Sequence, residues 1–196
     1  TVFPHYGVWV HWNCKACSQI WSSSVKERIQ DGVECPYCSG KRAIPGKTSL
    51  KALYPYITAE FSSENDFDPD TMLPNNNAWV KWNCKECRLT WRSTVSDRVT
   101  GVAQCPYCNG SKAIPGKTSL YAVFTELIGE WNFKANVLNA DPDQLLPSST
   151  QMVWWKCNKC NQSYQARIKD RVSTYIRKKV ICSYCKGYRR QKHHIL

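Results

Sequence analysis

Apolar and polar residues alternate in three short stretches of the chain, and a cysteine ends each stretch. The stretches cover residues 8–14, 78–84 and 153–157. A period of two is typical of a strand with one buried face. That cysteine begins a Cys-x-x-Cys pair, and aromatic residues follow the pair in each copy. The pattern therefore predicts three β-hairpins, each with a Cys-x-x-Cys pair at its tip.

Each predicted hairpin leads into a segment with helical spacing. In the first copy, Val25 and Ile29 stand one helical turn apart and the segment ends near Gly32, whereas the second copy ends near Gly101. A short helix is therefore predicted between the hairpin and the next cysteine pair.

Two connectors join the three copies. They begin with Thr48-Ser49 and Thr118-Ser119, which are favourable N-cap residues, and apolar residues follow at helical spacing. We predict one helix of about two to three turns in each connector. The Asp-, Asn- and Pro-rich residues 62–77 and 134–150 are predicted to return as loops.

The copies can be overlaid over most of their length. An aromatic residue, an aliphatic residue and an arginine recur at one spacing: Trp21, Val25 and Arg28; Trp91, Val95 and Arg98; Tyr164, Ile168 and Arg171. The third copy has four more residues between its cysteine pairs. The repeat predicts zinc modules at residues 1–47, 79–117 and 151–196, the first of them truncated, with connectors at 48–78 and 118–150.

All twelve cysteines fall into six Cys-x-x-Cys pairs. Two such pairs can direct four thiolates at one Zn²⁺ ion, about 2.3 Å from each sulfur, in a closed tetrahedral site. We therefore predict three structural zinc ions with no coordination position left for a catalytic water. The ligand sets are Cys14, Cys17, Cys35 and Cys38; Cys84, Cys87, Cys105 and Cys108; and Cys157, Cys160, Cys182 and Cys185.

Two other uses of cysteine compete with zinc. Disulfides within Cys-x-x-Cys pairs are tight and strained, and a secreted scaffold seldom places all its cysteines in this way. Redox chemistry would need one reactive pair in a thioredoxin-like setting, which six regularly repeated pairs do not resemble. Zinc fits the spacing best, and modules of this size need the folding free energy that a metal supplies.

The formal charge of +12 is concentrated near the C-terminal end of the sequence. Residues 151–196 carry 12 basic and one acidic side chain, whereas residues 1–150 carry 15 basic and 14 acidic ones. This density of positive charge on one module indicates phosphate binding, with a solvated charged tail as the alternative. The candidate residues are Arg167, Lys169, Arg171, Arg177, Lys178, Lys179, Lys186, Arg189, Arg190 and Lys192.

Basic residues at repeated positions add further candidates. Arg28, Arg98 and Arg171 could contact phosphate, or they could brace carbonyl groups near the cysteines and pair with the acidic connectors. Lys47 and Lys117 precede the connector helices, where a helix start could hold a backbone phosphate. The alternative is a simple turn and helix cap, and the Gly-Lys-Thr sequences lack the glycine spacing of a nucleotide-binding P-loop.

The alternating strands give each hairpin two faces of different character. One repeated position is expected in the core: Trp12, Trp82 and Trp155. The opposite face carries His11, Lys81 and Trp154 and is expected to be exposed or to face a ligand. Aromatic side chains interleaved with basic ones can stack on bases, although exposed tryptophans also occur at protein interfaces. Lys81 and Trp154 therefore join the nucleic-acid candidates.

In these motifs the chain resembles the tandem probable zinc-ribbon, or treble-clef, repeats of bacterial and phage proteins. The likeness covers essentially the whole chain and is carried by Trp82, Cys84, Cys87, Trp91, Arg98, Cys105 through Cys108, Gly110, Ser119-Leu120 and Glu130-Trp131. A Gly-His pair often follows the first cysteine pair in that family. This chain has Ser18-Gln19, Arg88-Leu89 and Asn161-Gln162 there instead.

The resemblance implies a small metal-bound α+β fold of three tandem four-cysteine modules, each of zinc-ribbon or treble-clef type. Each module would contain a β-hairpin, a short helix and a second zinc knuckle, and helical connectors would join the modules. Family members often sit beside nuclease-like or mobile-element domains, which implies a nucleic-acid role. We expect a DNA-binding segment, with DNA favoured over RNA, that is the recognition part of a larger nuclease, transposition or phage protein.

The alternative function is a zinc-stabilised scaffold for protein–protein interaction. The sequence contains no carboxylate pair, no nucleophile with a base and no open metal site, so we expect no enzyme activity within this chain and no small-molecule substrate. The missing initiator Met, and the lack of a connector helix before Phe3, indicate a segment of a longer protein.

The compartment is also predicted from the sequence. No apolar run approaches about 18 residues and no signal-like segment stands at the start, so neither a membrane span nor secretion is expected. Reduced thiols and zinc favour the cytoplasm, at the nucleoid or in a host-cell interior.

Overall fold

The computed structural model describes residues 7–188 of the 196-residue chain. Six strands lie in that range: β1 (Trp9–Asn13), β2 (Ile20–Ser24), β3 (Trp79–Asn83), β4 (Thr90–Thr94), β5 (Met152–Lys156) and β6 (Ser163–Arg167). Eight helices lie there too: α1 (Val25–Ile29), α2 (Leu50–Leu53), α3 (Pro55–Thr58), α4 (Val95–Val99), α5 (Leu120–Val123), α6 (Thr125–Ile128), α7 (Phe133–Asn136) and α8 (Ile168–Ile176). The chain divides into two compact units, residues 1–105 and 106–196.

The strands form three separate antiparallel hairpins, β1 with β2, β3 with β4 and β5 with β6. In the first two hairpins a tryptophan faces a tryptophan across the strands, and in the third Trp155 faces Tyr164. The first cysteine pair of each module lies in the turn between the strands. The predicted hairpins are confirmed, and because an isolated two-stranded hairpin is marginally stable in water, each needs support from a metal or from neighbouring elements.

A short helix follows each hairpin without a break, as predicted. Ser24 caps α1 by accepting a hydrogen bond from Glu27 N, and the Glu27 carboxylate accepts a hydrogen bond from Ser24 N. The Thr94 side chain caps α4 by accepting a hydrogen bond from Asp97 N. The third helix, α8, has nine residues where α1 and α4 have five. The four extra residues of the third copy therefore add about one helical turn.

The connectors differ from the prediction of one continuous helix. Each begins with two single-turn helices, and the backbone leaves helical geometry between them, at Tyr54 (φ −131°, ψ 60°) and at Phe124 (φ −127°, ψ 55°). Pro55 disfavours helical geometry at Tyr54, but Thr125 has no such effect on Phe124. In the second connector the Phe124 ring packs edge-on against Tyr175, with centroids 6.1 Å apart. In the second connector, which has no proline at this point, tertiary packing therefore accompanies the interruption of the helix at Phe124.

The predicted loops pack against the starts of the connector helices. Leu50 N donates to Met72 O over 2.7 Å, and Leu120 N donates to Leu145 O over the same distance. The second loop is not wholly irregular, because α7 occupies residues 133–136 and Asn132 caps it by accepting from Ala135 N. The cap residue Asn132 lies just before the predicted loop, and asparagine is a favourable N-cap residue.

Connector aromatic residues complete the cores of the second and third modules. Trp82 and Trp155 are both 0% exposed, and each meets an aromatic ring from the preceding connector. The ring centroids are 5.5 Å apart for Phe61 and Trp82 and 5.3 Å apart for Trp131 and Trp155, both in edge-on geometry. The expected core role is confirmed for these two tryptophans. Trp12 is half-buried and packs against Trp21, at 6.5 Å.

Candidate metal centres and basic surface

Four sulfur atoms converge in each module. Within each predicted ligand set, all Sγ atoms lie within 4.8 Å of one another. The Sγ atoms are 3.6 Å apart in Cys14–Cys38 and Cys87–Cys105, and 3.7 Å apart in Cys17–Cys35, Cys157–Cys185 and Cys160–Cys182. A disulfide would place the sulfur atoms about 2.05 Å apart. A tetrahedron with sulfur about 2.3 Å from a central zinc has edges of about 3.8 Å.

Tight backbone turns hold the first cysteine of each set. Ser18 N, Arg88 N and Asn161 N donate to the carbonyl oxygens of Cys14, Cys84 and Cys157, over 2.7, 2.9 and 2.8 Å. These three donors have positive φ values of 58°, 60° and 57°. They occupy the positions where the resemblance led us to expect glycine, so the chain retains the turn geometry without glycine.

The backbone also favours ionised sulfur at the first cysteine of two sets. The N–H groups of Cys17 and Ala16 lower the pKa of the Cys14 thiol to about 6. Burial would raise the pKa of Cys157, but the N–H groups of Cys160 and Lys159 lower it to about 7. Zinc binds the thiolate form of cysteine, so these turns favour the required state at one ligand of each of these two sets. Hydrogen bonds with the neighbouring cysteines raise the pKa of Cys38 and of Cys185 to about 12.

The three quartets fit zinc in residue type, spacing and sulfur geometry. Each supplies four thiolates to one Zn²⁺ ion, which would be closed to further ligands and would stabilise the fold without performing chemistry. All twelve cysteines are free of disulfides. The three structural zinc sites predicted from the sequence are therefore supported by the geometry as well as by the spacing.

The repeated arginines have specific partners. Arg171 donates through Nε and Nη2 to Glu130 Oε2, over 3.1 and 2.6 Å. Arg98 Nη2 lies 2.6 Å from Glu60 Oε2. Arg28 donates to Val33 O over 2.7 Å. These contacts match the alternative in which the arginines brace the cysteine loops and pair with the acidic connectors.

An aspartate occupies the start of each connector helix. The Asp70 carboxylate accepts from Gly46 N over 2.9 Å and from Ser49 Oγ over 2.6 Å, and Asp143 accepts from Gly116 N and Ser119 Oγ at the same distances. The hydroxyl contacts, followed by the backbone contacts, lower the pKa of both carboxyl groups. The position considered for a phosphate thus holds a carboxylate, and the geometry is that of a turn and helix cap. Lys47 and Lys117 themselves are exposed.

Most candidates of the third module lie on its surface. The exposed members within residues 7–188 are Arg167, Lys169, Arg177, Lys178, Lys179 and Lys186. Among the described residues, none of these six forms an ion pair. Arg171 is the exception, since it is 6% exposed and bound to Glu130. The candidates Arg189, Arg190 and Lys192 lie outside the described residues.

The outer hairpin faces carry aromatic residues that the sequence analysis did not single out. Trp9 is 67% exposed and Trp79 is 62% exposed, and they stand two residues before His11 and Lys81 on the same strand faces. Strand alternation alone could have identified them. Of the two candidates chosen there, Trp154 is half-buried and Lys81 forms a 2.8 Å ion pair with Glu64.

No helix within the described residues is long and apolar enough to cross a membrane. A family described as a probable treble clef zinc finger domain matches residues 1–41, 57–111 and 127–188, which is more than half of the chain. Each matched segment contains one complete cysteine quartet. No curated protein matches the chain.

Proposed function

Given that the chain belongs to the probable treble clef zinc finger family, we propose that it is a nucleic-acid-binding array of zinc modules, with DNA as the favoured ligand. The zinc ions fix the loops, and exposed lysine and arginine side chains neutralise phosphates. We propose that it works inside the cell, where thiols stay reduced, as the recognition part of a larger protein.

One observation carries this proposal. Six of the candidate basic side chains of the third module are exposed and form no ion pair within residues 7–188, whereas two carboxylates of the preceding connector are engaged. Glu130 pairs with Arg171, and Glu126 accepts a hydrogen bond from Tyr175. The connector therefore leaves the lysines and arginines of the third module available to an external polyanion.

A gel-shift assay tests the proposal directly. Zinc-loaded protein is mixed with duplex DNA, single-stranded DNA and RNA at two salt concentrations. The test variant is Arg177→Ala/Lys178→Gly/Lys179→Ala, and the matched control is Lys15→Ala/Lys41→Ala/Arg42→Ala, which removes the same charge from exposed residues of the first module. We expect roughly a tenfold or larger loss of affinity in the test variant only. Equal losses in both variants, or no binding by the wild type, would contradict the proposal.

A second candidate function is a protein-interaction scaffold, and the exposed Trp9 and Trp79 favour it. Large exposed aromatic side chains are enriched at protein interfaces. This function predicts a partner that stays bound after nuclease treatment and at high salt, and whose binding is lost in Trp9→Ala/Trp79→Ala.

A further inference from the structure

The third module contains a cavity of about 200 Å³ beside its zinc ligands. It lies between the turn that follows α8 and the loop after β5. Its polar walls are formed by Glu130, Lys159, Tyr164, Arg171, Lys178 and Lys179. Cys157 and Cys182 also border it. All these residues belong to the unit formed by residues 106–196.

A buried arginine forms part of the cavity wall. Arg171 is 6% exposed, and its Nε and Nη2 atoms both donate to Glu130. Its Nη1 atom is buried and has no hydrogen-bond partner. Glu130 therefore satisfies only part of the guanidinium, and the charge of an anion in the adjoining cavity would offset part of the cost of the unpaired donor.

The charges around the cavity favour an anionic acceptor. The Arg171–Glu130 pair is neutral, and four thiolates around Zn²⁺ carry a net charge of about −2. Lys159, Lys178 and Lys179 outweigh that charge, and none of them forms an ion pair within the described part of the chain. The local balance is therefore positive, with a buried guanidinium at the wall and three ammonium groups available to a ligand.

The size of the cavity limits the ligand. Pockets for drug-sized molecules commonly measure about 300–1,000 Å³, so a whole nucleotide does not fit this one. We propose that the cavity binds a single phosphate group, which is held by the lysines that line it. The corresponding turns of the other modules, Gly32-Val33-Glu34 and Gly101-Val102-Ala103, carry no lysine. The pocket is thus a feature of the third module.

The phosphate-binding pocket does not depend on the proposed function. Only the assignment of the phosphate group to nucleic acid rests on that function. Isothermal titration of the zinc-loaded full chain with inorganic phosphate tests the pocket alone. The test variants are Lys159→Ala and Lys179→Ala, and the control is Lys134→Ala, an exposed lysine of the same unit that does not line the cavity. Each test variant is expected to bind phosphate roughly tenfold more weakly, because a charge-assisted hydrogen bond is lost.

Zinc content, measured for every variant, separates loss of binding from loss of folding. Absence of phosphate binding to the wild type, or an equal weakening of phosphate binding in Lys134→Ala, overturns the proposed phosphate site even if the chain binds DNA. Phosphate binding with the expected variant pattern supports it. A competition arm then identifies the source: displacement of a bound DNA oligonucleotide by phosphate assigns the site to nucleic acid, whereas binding without displacement assigns it to free phosphate.

Discussion

At the scale of single residues, Lys178 stands out because it holds a left-handed backbone conformation with φ of 53°. The turns after α1 and α4 use Gly32 and Gly101 at positive φ. A side chain in this conformation is strained relative to glycine. The third module therefore keeps a lysine where glycine is the more stable residue, which is understandable if the charge serves binding.

Replacing this lysine by glycine separates stability from binding. We expect Lys178→Gly to leave the free energy of unfolding unchanged or to raise it by up to about 1 kcal/mol, because the strain is relieved. The same change should weaken binding to DNA. Urea melts of zinc-loaded protein check the first effect and gel shifts the second. Lys179→Gly is the control, since glycine at that position relieves no backbone strain. A clear destabilisation by Lys178→Gly would contradict the strain inferred at Lys178.

The Arg171–Glu130 pair is also a residue-scale feature. Its side chains are only 7% and 18% exposed, whereas those of the Lys81–Glu64 pair are 41% and 67% exposed. Breaking a buried pair leaves an uncompensated charge, but an exposed pair contributes little. Glu130→Gln should therefore cost about 3 kcal/mol of unfolding free energy, and Glu64→Gln less than about 1 kcal/mol. Similar losses in the two variants, measured in urea, would show that the buried pair has no special structural role.

At the scale of elements, the connectors are held by their return loops. Ser49 and Ser119 are fully buried, and each donates its hydroxyl to an aspartate of the loop. The backbone N–H groups at the helix start are also satisfied by the loop or by the capping serine. Single-turn helices are unstable alone, so this cross-link between loop and helix start is what keeps them formed.

The charge on the loop aspartate gives a pH prediction. The pKa of Asp143 in the folded protein is below its ordinary value of 3.8 because Ser119 and Gly116 donate to the carboxylate. The ionised group therefore stabilises the fold above pH 3.8, and this stabilisation disappears as the pH falls through the lowered pKa. Asp143→Asn keeps an acceptor oxygen but removes the charge, and it should lower the melting temperature by a constant amount between pH 8 and pH 5.

Melting curves of wild type and Asp143→Asn at several pH values in that range provide the check. A difference that changes steadily between pH 8 and pH 5 would show that another group is responsible, because Asp143 stays ionised there in both folded and unfolded chains. Asp141→Asn serves as the matched control, since Asp141 is exposed and its carboxylate accepts from the nearby Asp143 N.

At the scale of the whole molecule, three zinc ions supply much of the folding free energy. The hairpins are short, and a structural zinc in a small module contributes an apparent value of about 10–16 kcal/mol. We expect the purified chain to contain three zinc ions. Removal by a strong chelator should unfold the modules, and added zinc should restore them. Elemental analysis and circular dichroism give the readout, and a metal-free chain with unchanged melting behaviour would contradict this role.

Salt dependence is the second whole-molecule prediction. If the six exposed candidate residues of the third module each neutralise one phosphate of duplex DNA, the logarithm of the association constant should fall with the logarithm of salt at a slope of about −5. Titrations at four or more salt concentrations determine the slope. The Arg177→Ala/Lys178→Gly/Lys179→Ala variant should reduce its magnitude by about 3. Binding that is independent of salt would exclude phosphate neutralisation as the mechanism.

The sequence predicted the repeated parts of this molecule well, because its signals there are local. Cysteine spacing identified all three quartets, and strict alternation identified the hairpins. The binding of nucleic acid stays a prediction. So does the division into modules at residues 1–47, 79–117 and 151–196. The prediction of one continuous helix in each connector was wrong. Pro55 is a local signal for the break at Tyr54, but no such signal precedes the break at Phe124, where the ring packs against Tyr175.

By itself, then, the sequence determined the metal ligands, the hairpins, the short helices and the basic character of the third module, since each depends on residues close together in the chain. Only the tertiary structure decided that Arg171 is buried against Glu130, that Asp70 and Asp143 hold the connector helices, and that Arg171 and three lysines line one cavity. These contacts join residues 21 to 41 positions apart. Spacing along the chain does not specify which of several distant charged partners will meet, because the packing between them selects the pair.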